Sequence, residues 1–163
     1  GCGKAILVLD EPDRAEGYPK SNNICITNNE AMMRYLVADY VHQFPAFRGS
    51  LGLQAMSYLP LKSSETLGDL ETAYSEVVHG AGISLRMTWR QNGNPVAIEV
   101  TPQHAVNGTH DMYNIFIPAK QGEIAINDRP LSGSVIPRTI FGETMSSAFM
   151  AFSEIWVTPP NVS

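Results

Sequence analysis

Basic residues are scarce in this chain, and none of them cluster. Lysine and arginine number 11 among 163 residues, against 16 acids, for a net charge of −5. Nucleic-acid binding takes most of its affinity from neutralising phosphates with a basic face, so that class of partner is excluded. No apolar run approaches the ~20 residues a helix needs to cross a bilayer, so the chain as given carries no helical membrane span. Familiar catalytic signatures are missing too: Gly-x-Ser-x-Gly, His-Glu-x-x-His, a phosphate-binding loop and a dinucleotide glycine pattern are all absent. The stretch FRGSLG, residues 47–52, has glycines without the strand-to-helix setting such loops need. No cofactor is implied. Repeats, low-complexity tracts and linkers are also lacking, which leaves one domain over residues 1–163. A chain of this length buries roughly two thirds of its unfolded surface. Its 44% hydrophobic and 17% charged content is that of a globular protein, somewhat poor in charge.

Cysteine is nearly absent as well. Cys2 and Cys25 each adjoin a strand-like run, KAILVL and ICIT. If those strands pair, a disulfide between them is within reach, would add about 3 kcal/mol and would imply an oxidising compartment. The alternative is two independent thiols. Of the four histidines, His104 and His110 share or border one polar loop with Asp111 and are weak metal candidates. Their spacing matches no standard ligand set, so the solvated reading is preferred and no metal is assigned. His42 has no evident role.

What is present is patterning. In TNNEAMMRYLVADYVHQF, Thr27 and Glu30 stand at capping-box spacing. Met33, Leu36, Val37, Tyr40, Val41 and Phe44 follow at three- and four-residue intervals, Glu30 and Arg34 form a favourable i,i+4 pair, and Pro45 ends the helix. A second helix is expected over SSETLGDLETAYSEVVHGAG. Thr66 and Asp69 repeat the cap spacing, Leu67, Leu70, Tyr74, Val77 and Val78 form the stripe, and Gly80 suits the C-terminal left-handed position. His79 would then lie in the last turn, where a cation favours the helix dipole, and Asp69, Glu71 and Glu76 would leave an acidic outer side.

The stretch ISLRMTWRQNGNPVAIEVTP alternates apolar and polar residues at the strand period. Asn92-Gly93 is the favoured pair for a two-residue hairpin turn. Centring the turn there places Trp89 opposite Val96, Met87 opposite Ile98 and Leu85 opposite Val100, with Arg86 facing Glu99 on the other side. DMYNIFIP and EIAIN are expected as two strands joined through AKQG, and VIPRTIF as an edge strand because of Pro137. TMSSAFMAFSEIWV suits either helix or strand, and the strand reading is preferred. The fold expected is therefore α+β: a mainly antiparallel sheet of about five to seven strands with two amphipathic helices on one face.

Three resemblances bear on function. Gly1-Cys2 resembles the end of the lipobox of bacterial lipoproteins, which implies a lipid anchor at Cys2 and an extracytoplasmic, periplasmic location. Leu53–Met87, read as strand, helix, strand, resembles the small ring-building and docking modules of envelope secretion systems, and phage and immunity proteins of this size look similar. Arg48 with Gln121-Gly122-Glu123 is similar to the toxin-type ADP-ribosyltransferases. That likeness implies an arginine that holds the dinucleotide and a glutamate that stabilises an oxocarbenium-like transition state; the intervening Ser-Thr-Ser strand of that family is not found. Asn107-Gly108-Thr109 and Asn161-Val162-Ser163 fit the glycosylation acceptor pattern of a secreted protein. The sequence thus favours a non-catalytic binding domain outside the cytoplasm that takes a protein partner or small ligand. The alternative is an enzyme using Arg48, Gln121 and Glu123.

Overall fold

The computed structural model describes residues 3–9, 23–44, 51–101, 110–140 and 142–157. In chain order these form β1 (Ala5–Val8), β2 (Ile24–Thr27), α1 (Glu30–Asp39), α2 (Leu51–Gln54), β3 (Ser57–Pro60), β4 (Ser63–Gly68), β5 (Ala73–Gly80) and β6 (Ile83–Asn92). There follow β7 (Val96–Val100), β8 (His110–Ile126), β9 (Arg129–Pro130), β10 (Pro137–Ile140), β11 (Glu143–Ser146) and β12 (Phe149–Val157). A seven-stranded antiparallel sheet runs β12-β8-β6-β5-β4, with β7 and β9 also paired to β8. The expected α+β class and mainly antiparallel sheet are what the chain adopts.

The two N-terminal strands do pair, Ala5 opposite Thr27 and Leu7 opposite Cys25, and β3 adds in parallel beside β2. Ile6, Ile24 and Ile26 of this small sheet pack on Val78, Ile83, Leu85 and Ile126 of the large one to form the core. The sheets approach so closely at Gly80 that a Cβ there would lie 2.4 Å from the Pro60 carbonyl oxygen and 2.7 Å from Ile26 Cγ2. Helix α1 forms in the expected stretch but ends at Asp39, short of Pro45, with a 3-10 turn at Val41–Gln43 beyond it. Its cap is Asn29, whose side chain accepts the Met32 N–H at 3.1 Å. Thr27 Oγ1 instead accepts the Asn29 N–H at 3.0 Å. The helix presents Val37 inward, and Tyr40, just beyond its end, donates to Met112 Sδ on the large sheet.

The second expected helix is a hairpin. Residues 63–80 fold as β4 and β5, Thr66 opposite Glu76 and Ser64 opposite Val78. The apparent capping acid Asp69 belongs to the turn, where its Oδ1 accepts from the N–H groups of Glu71 and Thr72. Gly68 supplies the left-handed φ of +77° that the turn requires. Tyr74, Glu76, Val78 and Gly80 then point to one face at the strand period, which outweighs the helical spacing of the leucines. His79 accordingly lies mid-sheet between Ser63 and Ser84, at no helix end.

Asn92-Gly93 does not close a hairpin either. Strands β6 and β7 both pair with β8, as one interrupted strand: Asn92 is opposite Ala119 and Val96 opposite Phe116. Four steps on one side thus match three on the other, which is a bulge. Gln91 there has a φ of +51°, and the Gly93 N–H reaches the Pro118 carbonyl at 2.7 Å. The residues that favour a tight turn also favour a bulge, so the signal was ambiguous in kind. The face assignment survives in part: Leu85 is buried and Arg86 exposed, but Thr88, on the side of Arg86, is buried and Met87 and Trp89 are half-buried. The expected partner does not: Arg86 Nη2 lies 3.6 Å from Asp128, and Glu99 stands opposite Tyr113.

DMYNIFIP, AKQG and EIAIN likewise make a single strand, the 17-residue β8, and AKQG is no turn. Its first half pairs with β7 and β12 and its second half with β6 and β9. Near the C-terminus β10 and β11 form a two-stranded ribbon with Pro137 at its open start, and residues 149–157 are strand, as preferred.

Candidate protein-binding face

Strand β8 carries two accessible sites. In its second half, Gln121 lies opposite Arg90 and Glu123 opposite Thr88. With Gly122 these residues line a depression of about 220 Å³ open to solvent. The Thr88 hydroxyl is buried beneath it and lies 2.8 Å from the Ser75 hydroxyl. Two of the three residues of the enzymatic resemblance therefore meet here, with Arg90 beside them; Arg48 lies outside the described residues. Stabilising a developing cation calls for a water-excluded, pre-arranged carboxylate, and Glu123 is exposed.

The first half of β8, flanked by β7 and β12, is different in character. On the side of the buried Val100, Met112 and Phe116, the register sets Ile155 beside Met112 and Ala151 beside Phe116, both of them exposed. The buried Asn114 is satisfied laterally by Ser153 Oγ at 2.6 Å and Ile98 O at 3.4 Å. The opposite face is turned outward. Its rows are Ala97–Ile115–Phe152 and Glu99–Tyr113–Glu154, with Asp111 beside Trp156. Tyr113 is 41% exposed, Phe152 47% and Trp156 50%. Directly opposed side chains in such a sheet stand about 4.5–5.5 Å apart at Cβ, so Tyr113 is bracketed by two carboxylates. Neither Glu99 nor Glu154 takes part in an ion pair among the described residues.

This face adjoins an open edge. Among the described residues β12 pairs only with β8, and all six residues 151–156 are exposed. Apolar content alone hides this surface: FMAFSEIWV reads as a buried strand, and only the structure shows residues 151–156 to be exposed. Glu154 in the middle of that run was the available clue, since an ionised carboxylate is rarely buried unpaired.

The remaining sequence candidates are dispersed. Cys25 is a free, fully buried thiol opposite Leu7, pushed up to about 11 by burial and then by the nearby charge of Glu30. Cys2 and His104 lie outside the described residues, as do Asn107 and Asn161. His110 opens β8 opposite Val157, and Asp111 follows it opposite Trp156. No group of three or more His, Cys, Asp or Glu side chains that could hold a metal occurs among the described residues. Leu53–Met87 is a short helix, a strand and a hairpin, not the strand, helix, strand of a docking module. No helix among the described residues is long and apolar enough to cross a membrane. No known protein family, curated protein or solved structure matches the chain.

Proposed function

We propose that this is a non-catalytic interaction domain that docks an extended segment of a partner protein on β12 and the bare face beside it. The carrying observation is the nine-residue β12, an edge strand with Phe152, Ile155 and Trp156 exposed. A long apolar edge with free backbone N–H and C=O groups is a template for another strand. Main-chain hydrogen bonds would supply affinity and the flanking side chains selectivity. The proposed compartment is extracytoplasmic, with a lipid anchor at Cys2; this part is supported by the Gly1-Cys2 pair. Amide hydrogen exchange across residues 149–157 tests the docking. An extended peptide should protect the alternate β12 amides that face away from β8, and Phe152→Ser should abolish that protection. Unchanged exchange at saturating peptide would refute it.

A second reading keeps the ADP-ribosyltransferase likeness, favoured by the meeting of Gln121, Glu123 and Arg90 at one depression. Release of nicotinamide from labelled NAD, abolished by Glu123→Gln, is its required outcome; no release rejects it.

A further inference from the structure

We propose that the segment docked on β12 is basic, and that one of its Lys or Arg side chains reaches across the outer face to Tyr113, between Glu99 and Glu154. The inference rests on the docking reading above and names the chemistry of its occupant.

The face has every component of a cation site except the cation. The row through Tyr113 holds Glu99 and Glu154, and strands β7, β12 and residues 110–118 of β8 contain no lysine or arginine. The aromatic ring between the two glutamates presents a negative face on which a guanidinium or ammonium is held, and the carboxylates flanking it strengthen that attraction. The molecule builds the completed arrangement elsewhere from its own residues. Arg34 lies 4.1 Å above the Tyr58 ring while its Nη2 is 2.8 Å from a Glu30 carboxylate oxygen. At Tyr113 the ring and the two glutamates are present, neither glutamate is in an ion pair among the described residues, and the docked segment supplies the cation.

Reach is compatible with this. Adjacent strands lie about 4.8 Å apart, so a guest strand beside β12 would sit about 10 Å from β8. A lysine or arginine stem extended inward from it would cover Phe152 with its methylenes and bring its charged end to Tyr113. A second copy of this chain is the less suitable occupant. Two β12 strands laid edge to edge would bring two acidic faces together without any cation, on molecules that each carry a net charge of −5.

The experiment uses three end-blocked octapeptides that alternate Thr with Lys, with Ser or with Glu. They are titrated into the Trp89→Phe protein, in which Trp156 is the sole tryptophan and reports by fluorescence. The Lys peptide should bind about tenfold tighter than the Ser peptide and the Glu peptide weakest. Glu99→Gln combined with Glu154→Gln, both at exposed positions, should reduce the Lys peptide to the level of the Ser peptide, and so should about 0.5 M salt. Equal affinity for the Lys and Ser peptides, or a Lys preference that survives the double substitution, would overturn the charge assignment and leave docking standing. Failure of all three peptides to bind would overturn the docking reading itself. Sedimentation showing self-association that Phe152→Ser abolishes would assign the face to a second copy, and the proposal would fail.

Discussion

The large sheet has two margins, and they are finished differently. At one end β4 is six residues of Ser, Glu, Thr, Leu and Gly, closed by the Asp69 turn. Its neighbour β5 holds Glu76, whose carboxylate accepts from Thr66, from the Tyr74 hydroxyl and from Lys4 Nζ. Every component of that network has its complement inside the chain. At the other end β12 is longer and apolar, with exposed aromatics and one acid, Glu154, that forms no ion pair among the described residues. An edge that is short, polar and charged resists pairing with another chain, whereas a long apolar edge invites it. On the docking proposal, the contrast separates the margin that is complete in itself from the one that awaits a partner.

The comparison can be broken at its root by weakening the core that both margins share. Leu85, 1% exposed, packs with Val78 and Ile126 at the centre of the sheet. Leu85→Ala should cost about 2–5 kcal/mol in urea unfolding and lower the melting of both margins together. Separate transitions for β4 and β12, followed by hydrogen exchange, would show that the ends do not depend on a common core.

A smaller effect is expected from Gly68→Ala, which acts on the finished margin alone. The new Cβ would stand 2.0 Å from the Ala73 carbonyl oxygen at a backbone φ of +77°. About 1–3 kcal/mol should be lost, with exchange quickened in residues 63–80 and unchanged in 149–157.

Next comes pH. Burial alone would raise the Glu76 carboxyl, but hydrogen bonds from Lys4, Tyr74 and Thr66 and the Lys4 charge outweigh it and hold the group below its ordinary value. A folded value below the unfolded one means stability that is present above about pH 4.3 and lost as pH falls through the folded value. Glu76→Gln should therefore flatten the acid limb of the stability profile and cost about 1 kcal/mol at neutral pH. An acid limb identical to that of the unmodified protein would show that the network contributes nothing.

The smallest change in stability belongs to the unfinished margin. Phe152→Ser with Trp156→Ser should alter unfolding by less than about 1 kcal/mol, since each side chain keeps about half its surface in water in the fold. The same pair should sharply reduce binding of a dye that reports apolar surface. A large loss of stability would show that these residues are packed in solution.

Much of this architecture was legible in the chain, for reasons that also explain the failures. Helix α1 combined a stripe and an i,i+4 pair that specify one period, and these located it although its cap is Asn29 and not Thr27. Leu85, Met87 and Trp89 alternated with Arg86, Thr88 and Arg90, which identified the strand and its two sides, though not that Thr88 is buried on the polar one. Residues 63–80 offered both periods at once, and only the left-handed turn at Gly68 with Asp69 behind it separates a hairpin from a helix. Asn92-Gly93 was misread because turn and bulge ask the same of the backbone. The candidate face could not be found by pattern at all. Phe152 and Trp156 look like core until β12 is set against β8, and Glu99 and Glu154 are 55 positions apart, brought to the same row only by the strand between them.

The bulge beyond Gln91 has one more effect. By letting a single ribbon, residues 83–100, follow β8 from one sheet half into the other, it removes any seam along which the domain could come apart. No cut between residues 83 and 126 leaves either half with a whole ladder. A guest strand seated on the bare margin would thus stiffen β8 along its whole length, and its arrival would register in β6 and β9, in the other half of the sheet.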